Sequence, residues 1–205
     1  MSAAVEESGE RLMLLEAAEL ISARLAGYRV EIIGSGITVT PPSDLQHGRS
    51  LTRLMRRLVA AGLDDGEAEV FQSVAVRLPD EPSGFAVPDL AVLDADSDDR
   101  LVGFNCYDPA AFRLVLEVTS SNLGDDLTKK PAAYASAGVP VYVIVDRTDQ
   151  RVRVLTEPSD GEYRVHAVHH PGQSFTLPES IGASVTLSVD DVLTTKKRLT
   201  PPPAP

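Results

Sequence analysis

The chain has 205 residues, enough for one large domain, with 43% hydrophobic residues, 24% charged residues and a formal net charge of −11. Proteins that coat nucleic acid without sequence preference are usually basic, so this charge argues against that class but still allows a local basic patch. Cys106 is the only cysteine, which excludes an intrachain disulfide and a cysteine-cluster metal site, and the polar N-terminus and lack of a long apolar run favour a cytoplasmic protein with no membrane contact.

The first 42 residues predict a helix followed by a β-hairpin. Apolar side chains recur at helical spacing over residues 10–26, and Ser8 is the candidate cap of this helix. Residues 28–42, YRVEIIGSGITVTPP, hold two apolar runs on either side of a Gly-Ser-Gly turn, which is typical of a hairpin. We therefore expect an N-terminal helical segment over residues 1–27 and a strand pair directly after it.

A second helix is expected to begin just after this hairpin. Ser43 and Gln46 fit a capping box, and Gly62 fits the end of the helix. Its inward stripe would consist of His47, Leu51, Leu54 and Leu58. Arginines outside this stripe could follow a DNA backbone, although a solvated helix face explains them at least as well. They are Arg49, Arg53 and Arg56, with Arg57 beside them.

The rest of the chain predicts a series of strands interrupted by one helix. The strands are expected near residues 68–78, 87–94, 112–119 and 139–147, and in a last hairpin around residues 159–161. The helix would begin near Thr128 or slightly earlier and end at Gly138, because Pro131 is tolerated only in a first helical turn. Residues 194–205 lack apolar periodicity and are expected to be disordered, which leaves residues 28–193 as one domain.

Two acidic residues stand out because each belongs to a predicted strand. Asp89 lies at the start of VPDLAVLD, and Glu117 lies inside the apolar run FRLVLEV, where an unpaired charge would be costly. Period-two alternation puts Asp89 on the face of Ala91, and Glu117 on the face of Val115. If the two strands are neighbours, both carboxylates could bind one divalent cation, since Mg²⁺ prefers oxygen ligands that often include one or two carboxylates.

Simpler explanations exist for each of these carboxylates. Pro-Asp often initiates a turn, and an acidic residue near a strand end is often only solvated. Either residue taken alone is therefore more often not a metal ligand. The pair, followed shortly by Lys129 and Lys130, favours the metal site.

The order of the motifs resembles the Uma-two family of proteins described as restriction endonucleases, which belongs to the PD-(D/E)XK nuclease superfamily. The resemblance runs over about residues 28–193, and no single motif in it is specific alone. The matching pieces, in chain order, are YRVEIIGSG, PPSDLQHGR, VPDLAVL, LEVTSSN, DLTKK and YASAGVPVYVIVDR. One departure is that RVEIIGSG replaces the more usual Glu-Leu-Ile-Asp-Gly-Glu.

The resemblance implies which residues would bind the metal. Asp89 and Glu117 would be its ligands, together with the backbone carbonyl of Val118. Glu31 matches an upstream acidic position that could approach the metal or a bound water. His47 matches the histidine at the helix start in this family, but a histidine on an apolar stripe is more often a hydrogen-bonded core residue.

The resemblance also implies where the catalytic lysine lies. In the superfamily it is expected two residues after the glutamate, but that position is Thr119 here. In this family the lysine has moved to the following helix, which points to Lys130, four residues after Asp126. Tyr134, four residues later again, would share its helix face, whereas Lys129 would point elsewhere.

These points together predict one α/β domain of the restriction-endonuclease-like type, in which a mixed sheet is flanked by helices and extended by β-hairpins. The expected function is hydrolysis of DNA phosphodiester bonds with Mg²⁺ or Mn²⁺, so DNA is the expected partner. A bound cation can neutralise a phosphate and activate a water, and a lysine beside it can position or deprotonate that water. Cutting both strands is simplest with two sites, which favours a homodimer.

Two other functions stay open. A catalytically silent nuclease fold could bind nucleic acid or a protein partner, and the acidic composition and the displaced lysine favour it mildly. Alternatively, the domain could be purely structural, with Glu117 paired to Arg113 or to a lysine. Metal binding at Asp89 and Glu117 separates a nuclease from the silent fold, and a closed Glu117 pair with no cavity beside it would support the purely structural domain.

Overall fold

Strands and α-helices contribute similar numbers of residues to the regular structure of the described chain. The computed structural model describes residues 2–64, 66–79, 83–119 and 123–193, with the side chains of all of these except 2–12, 123, 125 and 126. The strands are β1 (Arg29–Ile33), β2 (Gly36–Thr40), β3 (Ala68–Phe71), β4 (Ala75–Arg77), β5 (Phe85–Ala86), β6 (Leu90–Asp94), β7 (Leu101–Gly103), β8 (Cys106–Tyr107), β9 (Phe112–Val118), β10 (Val141–Asp146), β11 (Arg151–Ser159), β12 (Glu162–His169), β13 (Ser174–Thr176) and β14 (Thr186–Ser188). The helices are α1 (Ser2–Arg24), α2 (Leu45–Ala60), α3 (Leu123–Ser136) and α4 (Val189–Leu193).

A central sheet has the strand order β12-β11-β10-β9-β6-β3, and its inner strands β6, β9 and β10 are the most continuously apolar. β9 and β10 run parallel, with α3 as the crossover between them, and the other neighbouring pairs of this sheet are antiparallel. All six residues of β10 are buried, as expected for a strand that is covered on both faces of its sheet. The central sheet therefore forms the interior of the molecule.

Two different layers cover the faces of the central sheet. One face packs against α2, α4 and the β13–β14 hairpin. The other face packs against α3 and a second sheet with the order β2-β1-β5-β4-β8-β7, and α1 lies against β1 of that sheet. The molecule is thus one α/β domain with two mixed sheets and flanking helices, which confirms the predicted fold class and adds a second sheet to it.

The first helix differs from its predicted bounds. α1 begins at Ser2 and ends at Arg24, so Ser8 lies inside the helix and is not its cap. The reason is that residues 2–10 are rich in alanine and glutamate, which favour a helix without contributing an apolar stripe. None of the helices in the described part of the chain combines the length and the apolar character needed to span a bilayer.

The second helix is capped one residue later than predicted. The side chain of Asp44 accepts a hydrogen bond from the N–H of His47 at 2.7 Å, which is the N-cap contact, so Ser43 is not the cap. The side chain of Gln46 accepts a hydrogen bond from Arg147 instead of closing a capping box. The predicted inward stripe lies largely as expected, since His47 and two of the leucines are buried.

The third helix begins earlier than predicted, so the expectation that Pro131 lies in its first turn is wrong. α3 begins at Leu123, five residues before Thr128, so Pro131 lies in the middle of the helix. A proline there cannot donate to the carbonyl of Leu127, four residues earlier, and costs backbone stability. Tertiary packing outweighs this cost, because Tyr134 and other residues of the following turn are buried in the core.

One predicted strand is divided between the two sheets, and another is shorter than predicted. Residues 68–78 form β3 of the central sheet and β4 of the second sheet, separated by Ser73 in the left-handed region with φ 57°. Residues 87–94 yield only β6, which begins after Pro88 because proline has no N–H for the ladder. The strand at 112–119, the hairpin within residues 28–42 and the hairpin around residues 159–161 are confirmed, whereas residues 194–205 lie outside the described residues.

Candidate active site

The pairing of β6 with β9 brings Asp89 and Glu117 together. Leu90 is the partner of Leu116 in this antiparallel pair, so Asp89, which directly precedes β6, lies across from Glu117. One oxygen of Asp89, Oδ2, accepts a hydrogen bond from the N–H of Val118 at 2.8 Å. The two carboxylates therefore converge at one end of neighbouring strands, on the face that the alternation predicts.

The guanidinium group of Arg29 lies between these carboxylates. Its Nη1 atom is 2.7 Å from Oδ1 of Asp89 and 3.7 Å from Oε2 of Glu117, and its Nε atom is 3.7 Å from Oε2 of Glu31. Burial would lower the pKa of Arg29, but the charges of Glu117, Asp89 and Glu31 raise it above its ordinary value. The motifs did not single out Arg29, although alternation along β1 puts it on the same face as Glu31.

Lys130 reaches the same group of carboxylates from α3. Its Nζ atom is 2.6 Å from Oε1 of Glu117 and 3.1 Å from Oε1 of Glu31, and its side chain is only 2% exposed. Tyr134, one turn later, donates a hydrogen bond to Oε1 of Glu117 at 3.2 Å. Burial and the charge of Glu117 raise the pKa of Tyr134 well above its ordinary value, which keeps the hydroxyl protonated as a donor. Lys129, by contrast, is exposed.

These contacts explain how a carboxylate is accommodated inside an apolar strand. Glu117 is fully buried, and Lys130 and Tyr134 both contact its Oε1 atom. Arg113 is bound instead to Asp94 at 2.6 Å, so the structural alternative of a Glu117–Arg113 pair is not formed. The Glu117–Lys130 pair agrees with a purely structural domain in which a lysine neutralises Glu117. The same pair also agrees with a nuclease, because it holds Lys130 where the catalytic lysine is expected.

Asp89 has partners on several sides. His47, which is buried on α2, has its Nε2 atom 3.3 Å from Oδ2 of Asp89. Burial would raise the pKa of Asp89, but the contact with His47, the charge of Arg29 and the N–H of Val118 lower it to about 2. Asp89 is therefore an ionised carboxylate at neutral pH, and His47 belongs both to the helix core and to this cluster.

The other predicted site residues lie farther along the helices. Asp126 belongs to α3, but its side chain lies outside the described residues. Arg53 donates to the carbonyl oxygen of Asp191 at 3.2 Å, so this arginine is directed at α4. Arg49 is half-buried and Arg56 is exposed, and a role in DNA binding for these three arginines stays a prediction.

The donors around Asp89 fit a hard divalent cation with an incomplete protein shell. Within the described residues, no group of three or more His, Cys, Asp or Glu side chains has the arrangement of a metal site. Mg²⁺ nevertheless keeps several waters and often uses only one or two carboxylates. Asp89 and Glu117 can supply these, because the cationic Arg29 already lies between oxygens of both. Since the N–H of Val118 points to Asp89, its carbonyl faces the same side of the strand.

Known proteins share the sequence pattern and the fold of this chain. The family model Uma2, described as "Putative restriction endonuclease", matches residues 16–190. The crystal structure of a protein from Anabaena variabilis, described as a putative nuclease belonging to DUF820, superposes with a TM-score of 0.64 and 18% sequence identity. The superposition covers 81% of this chain and 90% of that chain, and at this identity it shows the fold alone. No curated protein matches the chain.

The buried lysine generates a stability prediction. We expect Lys130→Met to lower the free energy of unfolding by about 3–5 kcal/mol, because it leaves the charge of Glu117 buried without its nearest cation. Lys129→Met, an exposed neighbour, should change the free energy by less than about 0.5 kcal/mol. Urea unfolding followed by circular dichroism measures both, and equal effects of the two substitutions would contradict the pairing. Adding Glu117→Gln to Lys130→Met should recover part of the loss, since it removes the uncompensated charge.

The environment of Asp89 generates a prediction about acid stability. A carboxyl group with a lowered pKa in the folded state adds stability above its unfolded pKa, and this stability is lost as the pH falls through the folded value. With a shift from 3.8 to about 2, Asp89 should contribute about 2 kcal/mol that disappears between pH 5 and pH 2. Asp89→Asn should therefore show a correspondingly shallower loss of stability over this range, measured by urea unfolding at each pH. The exposed Asp98→Asn is the control, and an identical pH dependence of all three proteins would refute the assignment.

Proposed function

The chain belongs to the Uma2 family, and from this premise we propose that it is a metal-dependent endonuclease that hydrolyses phosphodiester bonds of DNA. One observation carries the proposal: Asp89 and Glu117 converge from neighbouring strands, and Lys130 is held 2.6 Å from Glu117. Asp89, Glu117 and the carbonyl of Val118 would hold Mg²⁺ or Mn²⁺. The cation would supply charge neutralisation at the phosphate and a water of lowered pKa.

Lys130 is the residue proposed to act on the attacking water. Its ammonium group is oriented by Glu117 and Glu31, at 2.6 and 3.1 Å, so a well-positioned donor lies beside the proposed metal ligand Glu117. Thr119, at the usual position of the superfamily lysine, has a different role, because its hydroxyl accepts a hydrogen bond from the N–H of Arg147 at 3.0 Å. In this proposal the amine reaches the site from α3 instead of from the strand.

Two further side chains are proposed as positioning residues. Tyr134 donates to the same oxygen of Glu117 as Lys130 does, which limits the rotation of that carboxylate. His47 contacts Asp89 and thereby ties the first turn of α2 to the carboxylates. Both act through a carboxylate and not on the phosphate.

DNA is proposed as the substrate, and α2 is the element proposed to contact its backbone. Arg49 and Arg53 follow His47 by two and six residues, which is about 3 and 9 Å along a helix axis. Positive charge near the site matters because the chain as a whole carries a net charge of −11 and would otherwise repel DNA. A homodimer would provide one such site for each strand of a duplex.

Cleavage of supercoiled plasmid with Mg²⁺ or Mn²⁺ tests the function. The wild-type protein should nick or linearise the plasmid only with the cation present. Lys130→Ala should lose about 100-fold or more in rate while keeping Mn²⁺ binding, because proton transfer to or from the water is lost. Glu117→Gln should lose both the cleavage and the binding. Lys129→Ala is the matched control and should cleave as the wild type does.

The same experiment separates the proposed nuclease from its alternatives. Each variant is assayed at a temperature at which circular dichroism shows it to be folded, so that lost activity does not report unfolding. If the protein binds DNA but neither cleaves it nor binds Mn²⁺, the result would favour the catalytically silent nuclease fold. Loss of cleavage in Lys129→Ala instead of Lys130→Ala would move the catalytic role to Lys129.

A further inference from the structure

The guanidinium group of Arg29 lies between the carboxylates of Asp89 and Glu117, where a divalent cation bound by both would also lie. Its Nη1 atom is 2.7 Å from Asp89 and 3.7 Å from Glu117, and it also donates to the carbonyl oxygen of Val87 at 2.9 Å. The facing oxygens of the two carboxylates are therefore already bridged by one positive group. A divalent cation between the same oxygens would lie within a few ångströms of the guanidinium group, and the two would repel each other strongly.

The formal charges of the cluster favour an exchange of one cation for the other. Asp89, Glu117 and Glu31 carry three negative charges, and Arg29 and Lys130 carry two positive ones, which leaves one negative charge before His47 is counted. If Arg29 leaves and a divalent cation enters, Lys130 and that cation together balance the three carboxylates. If Arg29 stays and the cation enters, the cluster gains an excess positive charge in a buried place.

Side-chain exposure indicates that Arg29 can move out of the cluster, whereas its charged neighbours cannot. The side chain of Arg29 is 20% exposed, whereas the side chains of Lys130, Glu117 and Glu31 are 1–2% exposed. Arg29 is the first residue of β1 and lies shortly after Gly27, which has a positive φ of 85°. Its long side chain can thus swing toward solvent without disturbing the core, and Lys130 has no such route.

We propose that Arg29 is a built-in counter-ion that occupies the carboxylate pair when no divalent cation is bound and is displaced when one binds. This inference rests on the proposed metal site. Arg29 acts here as a positioning residue that sets the affinity for the cation. It keeps Asp89 and Glu117 together without a metal, and it weakens metal binding by competing for the same oxygens.

The affinity for Mn²⁺ tests the competition, measured from the electron paramagnetic resonance signal of the free ion. Arg29→Gln should bind Mn²⁺ roughly tenfold more tightly than the wild type, because the competitor is gone. Without metal, the same variant should melt at a lower temperature than the wild type and gain more from added Mn²⁺. Arg113→Gln is the matched control, since it removes an arginine of similar exposure that is paired with Asp94 instead of with Asp89 or Glu117, and it should leave the Mn²⁺ affinity unchanged.

Chemical modification tests the displacement in the unaltered protein, so the inference does not depend on the folding of a variant. Phenylglyoxal, which modifies accessible guanidinium groups, should react with Arg29 slowly without metal and several-fold faster with saturating Mn²⁺, as quantified by peptide mass spectrometry. Arg113 is the internal reference and should react at the same rate in both conditions. A metal that slows or does not change the reaction of Arg29 would overturn the proposal.

The outcomes distinguish this inference from the metal site on which it rests. If Glu117→Gln abolishes Mn²⁺ binding but Arg29→Gln leaves the affinity unchanged or weaker, the metal site stands and the counter-ion role is wrong. If neither the wild type nor Arg29→Gln binds Mn²⁺, the metal site itself is wrong and the counter-ion role falls with it. If Arg29→Gln binds Mn²⁺ more tightly than the wild type, and adding Glu117→Gln to it abolishes the binding, both the metal site and the counter-ion role are supported.

Discussion

The buried charge of Glu117 is the constraint around which the domain is arranged. A carboxylate inside a fully covered sheet is stable only with a cation and hydrogen-bond donors in contact with it. Because β9 and β10 are parallel, the chain must cross over the sheet between them, and α3 is that crossover. The crossover carries Lys130 and Tyr134 over Glu117, so the element required by topology also supplies the neutralising groups.

The second sheet supplies charged groups of the cluster that the central sheet lacks. β1 contributes Arg29 and Glu31, and the N–H of Val87, in the segment between β5 and β6, donates to Glu31 at 2.8 Å. Each charged side chain thus has a partner from another element, and the cluster holds the two sheets and α3 against one another. A shifted register would leave one of these buried charges unpaired, which is costly.

Residues that stand out within their own stretch of sequence could be singled out, whereas a residue that stands out only through a contact far along the chain could not. Asp89 and Glu117 could be singled out because each lies in or directly beside an apolar run, and Lys130 was singled out through the resemblance to the Uma-two family. Arg29 was missed, since an arginine at a strand end usually points to solvent, and its contact with Asp89 spans 60 residues. The division of residues 68–78 between two sheets and the position of Pro131 inside α3 were missed for the same reason: tertiary packing overrode local preference.

The number of charged contacts favours a ligand-binding role over a purely structural one. One buried ion pair, Glu117 with Lys130, would satisfy the central strand, and apolar residues of similar volume would often be at least as stable. Three carboxylates and two cationic side chains instead meet at one end of neighbouring strands, with one negative charge in excess before His47 is counted. Concentrated and incompletely balanced charge in a partly accessible place is typical of sites that act on a ligand. The accessible side of the cluster is the side of Arg29, whose side chain is 20% exposed.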